Sequence, residues 1–364
     1  MLAPYVLIIF ASLALASGAT AMAPPDHTKP AGPPPRSATM FVWLTALLLT
    51  LVSALRWRVG TDYWSYEILY ASYVKEPVKE FTVFSEPGIR TLAKFGAYVN
   101  SQMGQPADPA LMFAFAALLT IPFTVWTIYR STNAFPLAIA LFILSTTWQG
   151  SFNGIRQYIA CAILFWGHKY ILSRRFFKYA GVILVAILFH VSAAIMLLAY
   201  WIPRRELKPH VLLLLIVTTI IAISSYSSLL EVINLVKADP VSPGGYVSHR
   251  INPLRVAISF APIAVYWMFS DKDRLEDRDY LYLNMIFINT ALLLASINSA
   301  YLARFSVYTD IYACVLIPNL INMQHANTRR LAKLLIVAGY IVFWVLETRQ
   351  QPELLYRTVF SRST

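Results

Sequence analysis

The chain has 364 residues, 58% of them hydrophobic and 13% charged, with a formal net charge of +12 at pH 7. A soluble domain carries about 25% charged residues and must present polar groups to water, so this composition excludes that class and calls for lipid as solvent. The excess of Lys and Arg is no nucleic-acid footprint, because the basic residues flank apolar runs, where the positive-inside bias puts them.

Runs approaching the roughly 20 apolar residues that cross a hydrocarbon core recur at 4–23, 39–55, 109–129, 134–150, 155–172, 179–203, 211–230, 256–270, 280–303, 304–323 and 334–346. The expected class is all-α, a polytopic integral membrane protein with about 10–12 transmembrane or re-entrant helices. No like-charge block or Ser/Gly-rich linker marks off a second domain. Residues 1–364 are read as a single transmembrane domain with an extracytoplasmic loop at about 56–107. In the first run, Ala21-Met22-Ala23 resembles a signal-peptidase site, but no basic residue precedes it; Lys29 and Arg36 follow it. That asymmetry reads as a retained helix with its N-terminus outside. Pro24-Pro25 and Pro33-Pro34-Pro35 then make an extended connector.

Counting from there, 56–107 lies outside, Arg130 inside, Arg156 outside and the basic cluster 169–178 inside. The uncharged stretch 179–203, between Arg174-Arg175 and Arg204-Arg205, has two readings. A single crossing moves every later basic loop outside. A dip that returns keeps them inside, and the charge rule favours it. The break then falls near Phe189-His190-Val191-Ser192, with protein or a water-filled cavity around His190, because non-helical backbone at that depth is tolerated only there. The tail 347–364 is expected outside.

Arg56, Arg58, Arg156, Arg250, Arg255 and Arg304 thus fall on the face where arginine is disfavoured. Snorkelling to the interface accounts for any one of them. A set on one face suits bidentate binding of a lipid diphosphate. Asn153-Gly154-Ile155-Arg156-Gln157 opens a helix, whose free N–H groups add to anion binding. Arg156, at the boundary, is expected to contribute little to packing. Tyr301, Arg304 and Tyr308 share a helix face, and with Tyr63 and Asn153 they are the candidate sugar contacts, although an interfacial aromatic belt explains most Tyr and Trp. His190 is a functional candidate as an ionisable group in the membrane; a hydrogen-bonded core histidine is the plainer alternative. Asp271-Lys272-Asp273 reads as a solvated loop. Cys161 and Cys314 lie within apolar runs as packing residues. No metal-ligand spacing, phosphate-cradling glycine loop or nucleophile motif is present, so neither metal nor cofactor is expected.

Four ordered motifs carry a resemblance: Arg56-Trp57-Arg58-Val59-Gly60-Thr61-Asp62-Tyr63 with Tyr66; Glu86-Pro87-Gly88; Asn153-Gly154-Ile155-Arg156-Gln157; and Phe189-His190-Val191-Ser192-Ala193. Together they resemble the EpsG-like family, relatives of the Wzy-type O-antigen and exopolysaccharide polymerases. The resemblance covers about 51–200 and continues in Arg304 and Tyr308; the proline-rich connector is atypical of the family. It implies a GT-C-like multi-pass protein of the bacterial cytoplasmic membrane with its active site facing the periplasm or exterior. It implies transfer of a growing glycan from undecaprenyl diphosphate onto the next lipid-linked repeat unit, without metal, alongside a flippase and a chain-length regulator. Arginines would stabilise the departing diphosphate. Asp62, Glu86 and His190, unranked, are the catalytic candidates for receiving the acceptor's proton. The alternatives are an O-antigen ligase-like glycosyltransferase, which shares the arginine logic, and a lipid-linked oligosaccharide flippase. A flippase is expected to show an internal repeat and charges along a central path, and neither is seen.

Overall fold

The computed structural model describes residues 3–23, 35–78, 82–225, 251–297 and 300–363. Among them it is helical, with no strand and one isolated bridge, Arg56 to Thr358. The chain divides into two compact units, residues 1–200 with 331–364, and residues 201–330.

The first unit contains α1 (Ala3–Met22), α2 (Arg36–Ala54), α3 (Tyr63–Lys75), α4 (Pro87–Gln102), α5 (Ala110–Ser131), α6 (Phe135–Leu144), α7 (Thr147–Gly150), α8 (Ile155–Leu172) and α9 (Phe176–Ile187). A 3-10 segment, Val191–Trp201, follows. Of these, α1, α2 and α5 are long and apolar enough to cross a membrane, as is the later helix Ala326–Arg349. Each is apolar around most of its circumference, the pattern of a helix with lipid on one side and protein on the other. The expected run 134–150 is interrupted at Ser145-Thr146, where Thr146 takes φ of 65° and ends α6.

The stretch 179–203 doubles back. Phe176, at the start of α9, meets the ring of Tyr200 at 5.1 Å, and Tyr179 Oη donates to the Met196 carbonyl at 2.9 Å. The two limbs therefore run antiparallel, with Leu188-Phe189-His190 at the tip. This is the dip favoured by the basic flanks, and it returns the chain to the end from which α9 began.

One end of the unit gathers the other expected outside elements. Tyr5 Oη donates to the Leu354 carbonyl at 2.8 Å, and the Tyr5 ring packs edge-on against Trp148, Trp344 and Tyr356. The Trp57 N–H donates to Arg357, Gly60 to Glu353, and Val359 to Leu55, each at 2.9 Å. The start of α1, the 55–60 segment, the Trp148 turn and the 350–359 tail thus share one face, and α1 is part of the core.

The 56–107 segment is not an irregular loop. Tyr63, Tyr66, Tyr70 and Tyr73 recur every three or four residues along α3, so they form one buried stripe. The stripe packs on Met112, Phe113 and Ala116 of α5 and on Ile155 and Ile159 of α8. α4 lays Ile89, Ala93, Gly96 and Asn100 inward. The stripe anchors the segment to the apolar bundle by burying aromatic area.

The second unit comprises α10 (Pro209–Ser224), α11 (Pro253–Ser259), α12 (Ala261–Phe269), α13 (Asp277–Ala295), α14 (Ala300–Asp310), α15 (Ala313–Asn322) and the first turns of α16 (Ala326–Arg349). Its interior holds paired polar groups. Asn319 donates to Asp279 at 2.9 Å, and Asn284 caps the carbonyls of Pro203 and Arg205 at 2.7 and 3.0 Å. Buried polar atoms of this kind must be satisfied internally in an apolar surrounding.

Candidate functional site

Three of the four ordered motifs meet at one carboxylate, and the first reaches it through Tyr66 on Arg156. Glu86 sits at the N-terminal boundary of α4 with φ of 53°, a left-handed conformation that a non-glycine residue adopts only when its surroundings enforce it, at roughly 1–3 kcal/mol. The enforcement comes from the dip. The Gly88 N–H donates to the Leu188 carbonyl at 2.8 Å. A Cβ on Gly88 would stand 2.7 Å from the Phe189 ring and 2.9 Å from the Leu188 oxygen, so only glycine allows this approach. Glu86-Pro87-Gly88 is thereby docked on Leu188-Phe189-His190-Val191.

The carboxylate then takes three donors. His190 Nδ1 donates to Oε1 at 2.5 Å and the Val191 N–H to the same oxygen at 3.2 Å, while Arg156 Nη1 donates to Oε2 at 2.5 Å. Burial works to raise the Glu86 pKa, but the His190 hydrogen bond, the Arg156 charge and the Val191 N–H outweigh it and hold the carboxyl below its ordinary value. An ionised carboxylate only accepts, so His190 carries its proton on Nδ1 and, when neutral, turns a lone pair outward on Nε2. Arg156 Nε also donates to Tyr66 Oη at 3.3 Å, with the guanidinium 5.7 Å from that ring's centroid. Burial raises the Tyr66 pKa, against the opposing pull of Arg156, so the phenol stays protonated near neutrality. Arg156 thus commits two of its five N–H donors within the protein. Its side chain remains 32% exposed and that of His190 23%.

This placement corrects the expectation that Arg156 matters little to packing: it is half of a partly buried ion pair. Three further assignments change. Arg56 is 2% exposed, donates to the Ser53 and Phe152 carbonyls at 2.5 and 3.3 Å, and lies 5.0 and 5.1 Å from the Phe113 and Phe152 ring centroids. Burial pushes its pKa down to about 10. It fastens α2 to the 152 turn and is closed to a diphosphate. Tyr63, 1% exposed and stacked on Phe113 at 4.2 Å, is core and not a sugar platform, and so is Tyr308, 2% exposed in α14. Tyr63 is expected at the site from its motif and Tyr308 from its helical spacing with Arg304, whereas the three-and-four spacing of the α3 tyrosines is the signal that Tyr63 is buried.

The other candidates are distributed as follows. Arg58, with φ of 52°, lies 5.1 and 5.2 Å from the Trp57 and Trp64 ring centroids and 3.8 Å from Glu67, and stays 48% exposed. Asp62 stands at the N-terminus of α3, near enough for its charge to act on Tyr66. Asn153 faces Gly60: a Cβ there would sit 2.5 Å from its Oδ1, and the φ of 106° at Gly60 already requires glycine. Gln157 is buried in the first turn of α8. Arg255 and Arg304 are exposed on α11 and α14 of the second unit, and Tyr301 falls in α14. Arg250 lies outside the described residues. Arg90, one turn beyond Glu86, was not singled out. It pairs with Glu76, caps the Ser85 carbonyl and lies 4.7 Å from the Tyr73 centroid. Lys272, Asp273 and Arg274 are exposed and Asp271 is half-buried, a largely solvated loop as expected, with Lys272 on Glu206 at 2.7 Å. Among the described residues no three His, Cys, Asp or Glu lie close enough to hold a metal ion.

No curated protein and no solved structure matches the chain. A sequence model of the EpsG family matches residues 39–357, which span both units and all four motifs, and it supports a polysaccharide-polymerase-like role in general. The chain belongs to the EpsG family.

Proposed function

We propose that this protein is a metal-independent membrane glycosyltransferase that lengthens a polysaccharide at the outer face of the cytoplasmic membrane. It takes the growing glycan from undecaprenyl diphosphate and joins it to the next lipid-linked repeat unit. The observation that carries this reading is the Glu86 carboxylate shared between His190 and Arg156. Glycosyl transfer from a lipid diphosphate needs a base at the acceptor and positive charge at the leaving group. Here one residue orients both.

In the reaction the acceptor hydroxyl oxygen attacks the anomeric carbon, and the bond from that carbon to the diphosphate oxygen breaks with its electron pair leaving on the phosphate. His190 Nε2 receives the hydroxyl proton. Glu86 fixes the imidazole's tautomer and stabilises the imidazolium that forms, the role a carboxylate plays behind any catalytic histidine. Arg156 directs its remaining N–H donors at the departing diphosphate, where the charge develops. Arg58, half-exposed in the same unit, remains a candidate for the second lipid diphosphate.

The test is chain extension by the purified full-length protein on a lipid-linked repeat unit, with and without excess EDTA, beside His190→Ala. Extension that survives EDTA and is abolished in His190→Ala supports the reading. Loss in EDTA with rescue by magnesium would overturn metal independence, and an active His190→Ala would overturn the base.

A further inference from the structure

The geometry points to a binding groove for the polyprenyl tail of the lipid substrate between α5, α8 and α9, an inference that rests on the lipid-diphosphate reading above. A cavity of about 490 Å³ lies there, walled by Leu119 and Phe123, Ile163, Val182 and Val185, and Phe189. Its two ends differ. At one end stands Phe189, which precedes His190 in the chain and whose ring lies against Gly88, two residues from Glu86. At the other are Tyr170 and Lys178, beside the basic base of the dip. From residue 178 to the end of α9 is roughly 14 Å at 1.5 Å per residue, about half of a hydrocarbon core roughly 30 Å thick. The groove thus starts beside the candidate site and runs between apolar walls along α9 toward the base of the dip, away from the face on which Arg156 would hold the diphosphate.

Two features favour a polyprenyl chain over a straight acyl chain. The groove adjoins the candidate site at Phe189, whose ring lines the one and lies against Gly88 of the other, so an occupant with its head at the site can lay its tail there. Its wall also includes Gly181, mid-helix in α9, where a Cβ would meet no atom within 4 Å. Glycine is a poor helix former, and its use here leaves width for a methyl-branched chain.

Gly181→Trp fills that space without touching Glu86, His190 or Arg156. Two probes are used on the full chain in phosphatidylglycerol nanodiscs: undecaprenyl diphosphate and geranyl diphosphate, with bound probe counted by native mass spectrometry. The expected result is that Gly181→Trp weakens undecaprenyl diphosphate at least tenfold and leaves geranyl diphosphate and the melting temperature unchanged. In support, a diazirine-bearing undecaprenyl analogue should crosslink to α8 and α9 peptides. Equal binding of both probes by the variant and the parent would mean that ordinary bilayer lipid fills the groove, overturning this inference alone. Loss of both probes would place the diphosphate in the groove and overturn it too. If the parent binds neither probe, the lipid-diphosphate reading itself fails, and the groove with it.

Discussion

Replacing Glu86 by Gln tests the centre of the site, because it keeps shape and removes charge. The amide has one acceptor where the carboxylate has two. If its oxygen takes the place of Oε1, the bonds from His190 and the Val191 N–H persist, but the NH2 then faces Arg156 Nη1, donor against donor. The reverse orientation sets the NH2 against the Val191 N–H, which cannot adapt, so the first prevails. Arg156 loses a charge-assisted hydrogen bond of about 1.5–3 kcal/mol, and the His190 bond drops from charge-assisted to neutral, about 1 kcal/mol more. With Arg156 32% exposed, the lower figure applies to its share. The sum, about 2.5 kcal/mol, corresponds to roughly 10²-fold in rate at 1.36 kcal/mol per decade. The assay is initial rate of chain extension at matched membrane levels, with kcat and KM separated. A variant within about threefold of the parent in kcat, or one changed only in KM, would refute the claim that Glu86 orients the base. The same pair gives a pH test. Because the folded carboxyl is held below its ordinary value of 4.5, its contribution to stability is fully present above that value and is lost as pH falls through the lowered one. The melting-temperature gap between the parent and Glu86→Gln should therefore close only in acid below about 4.5.

Arg156→Lys keeps the charge but not the fork and should lower chain extension about tenfold, with Arg156→Ala about 100-fold lower. The alanine variant should also melt earlier, because it leaves Glu86 short of a partner at about 1–3 kcal/mol; unchanged stability and long polymer in both would return Arg156 to the role of a snorkelling side chain. Gly60→Ala demands a φ that alanine avoids and places its Cβ against Asn153, so it should cost about 1–3 kcal/mol, read as a lower melting temperature in detergent, and no shift would show that the turn relaxes freely. A cysteine at exposed Ser101 should react with an impermeant maleimide from outside and one at Ser173 should not, over low background because Cys161 and Cys314 are buried; the opposite pattern would invert the site's facing.

Much of the architecture could be read from residue type and spacing. The run 155–172 coincides with α8, and the paired basic flanks indicated the dip before any geometry was known. Apolar length and charge asymmetry are properties of a segment, so the sequence displays them directly. The site was legible in its members and not in its wiring. Glu86, His190 and Arg156 were each singled out, but that they share one carboxylate depends on contacts across 104 and 70 residues, which no local pattern encodes. Where the reading failed, a residue type was allowed to stand for a location. Arginines and tyrosines near an interface read as ligand contacts, although Arg56 and Tyr63 point inward, and for Tyr63 the period of the α3 tyrosines says so.

The closure of the chain on itself has a consequence for how the protein is made. Trp57 and Gly60 are held by backbone partners at Arg357 and Glu353, and Tyr5 by the carbonyl of Leu354, 349 positions away. A chain still on the ribosome can therefore thread its early helices and bring Glu86 against the dip. The first motif can already hold to the early helices through Arg56 on Phe152 and Tyr63 on Phe113, but the Trp57 and Gly60 N–H groups lack their acceptors until residues 353–357 arrive. The last step of its closure therefore waits for α16, and a chain stalled before that helix keeps those two donors unsatisfied.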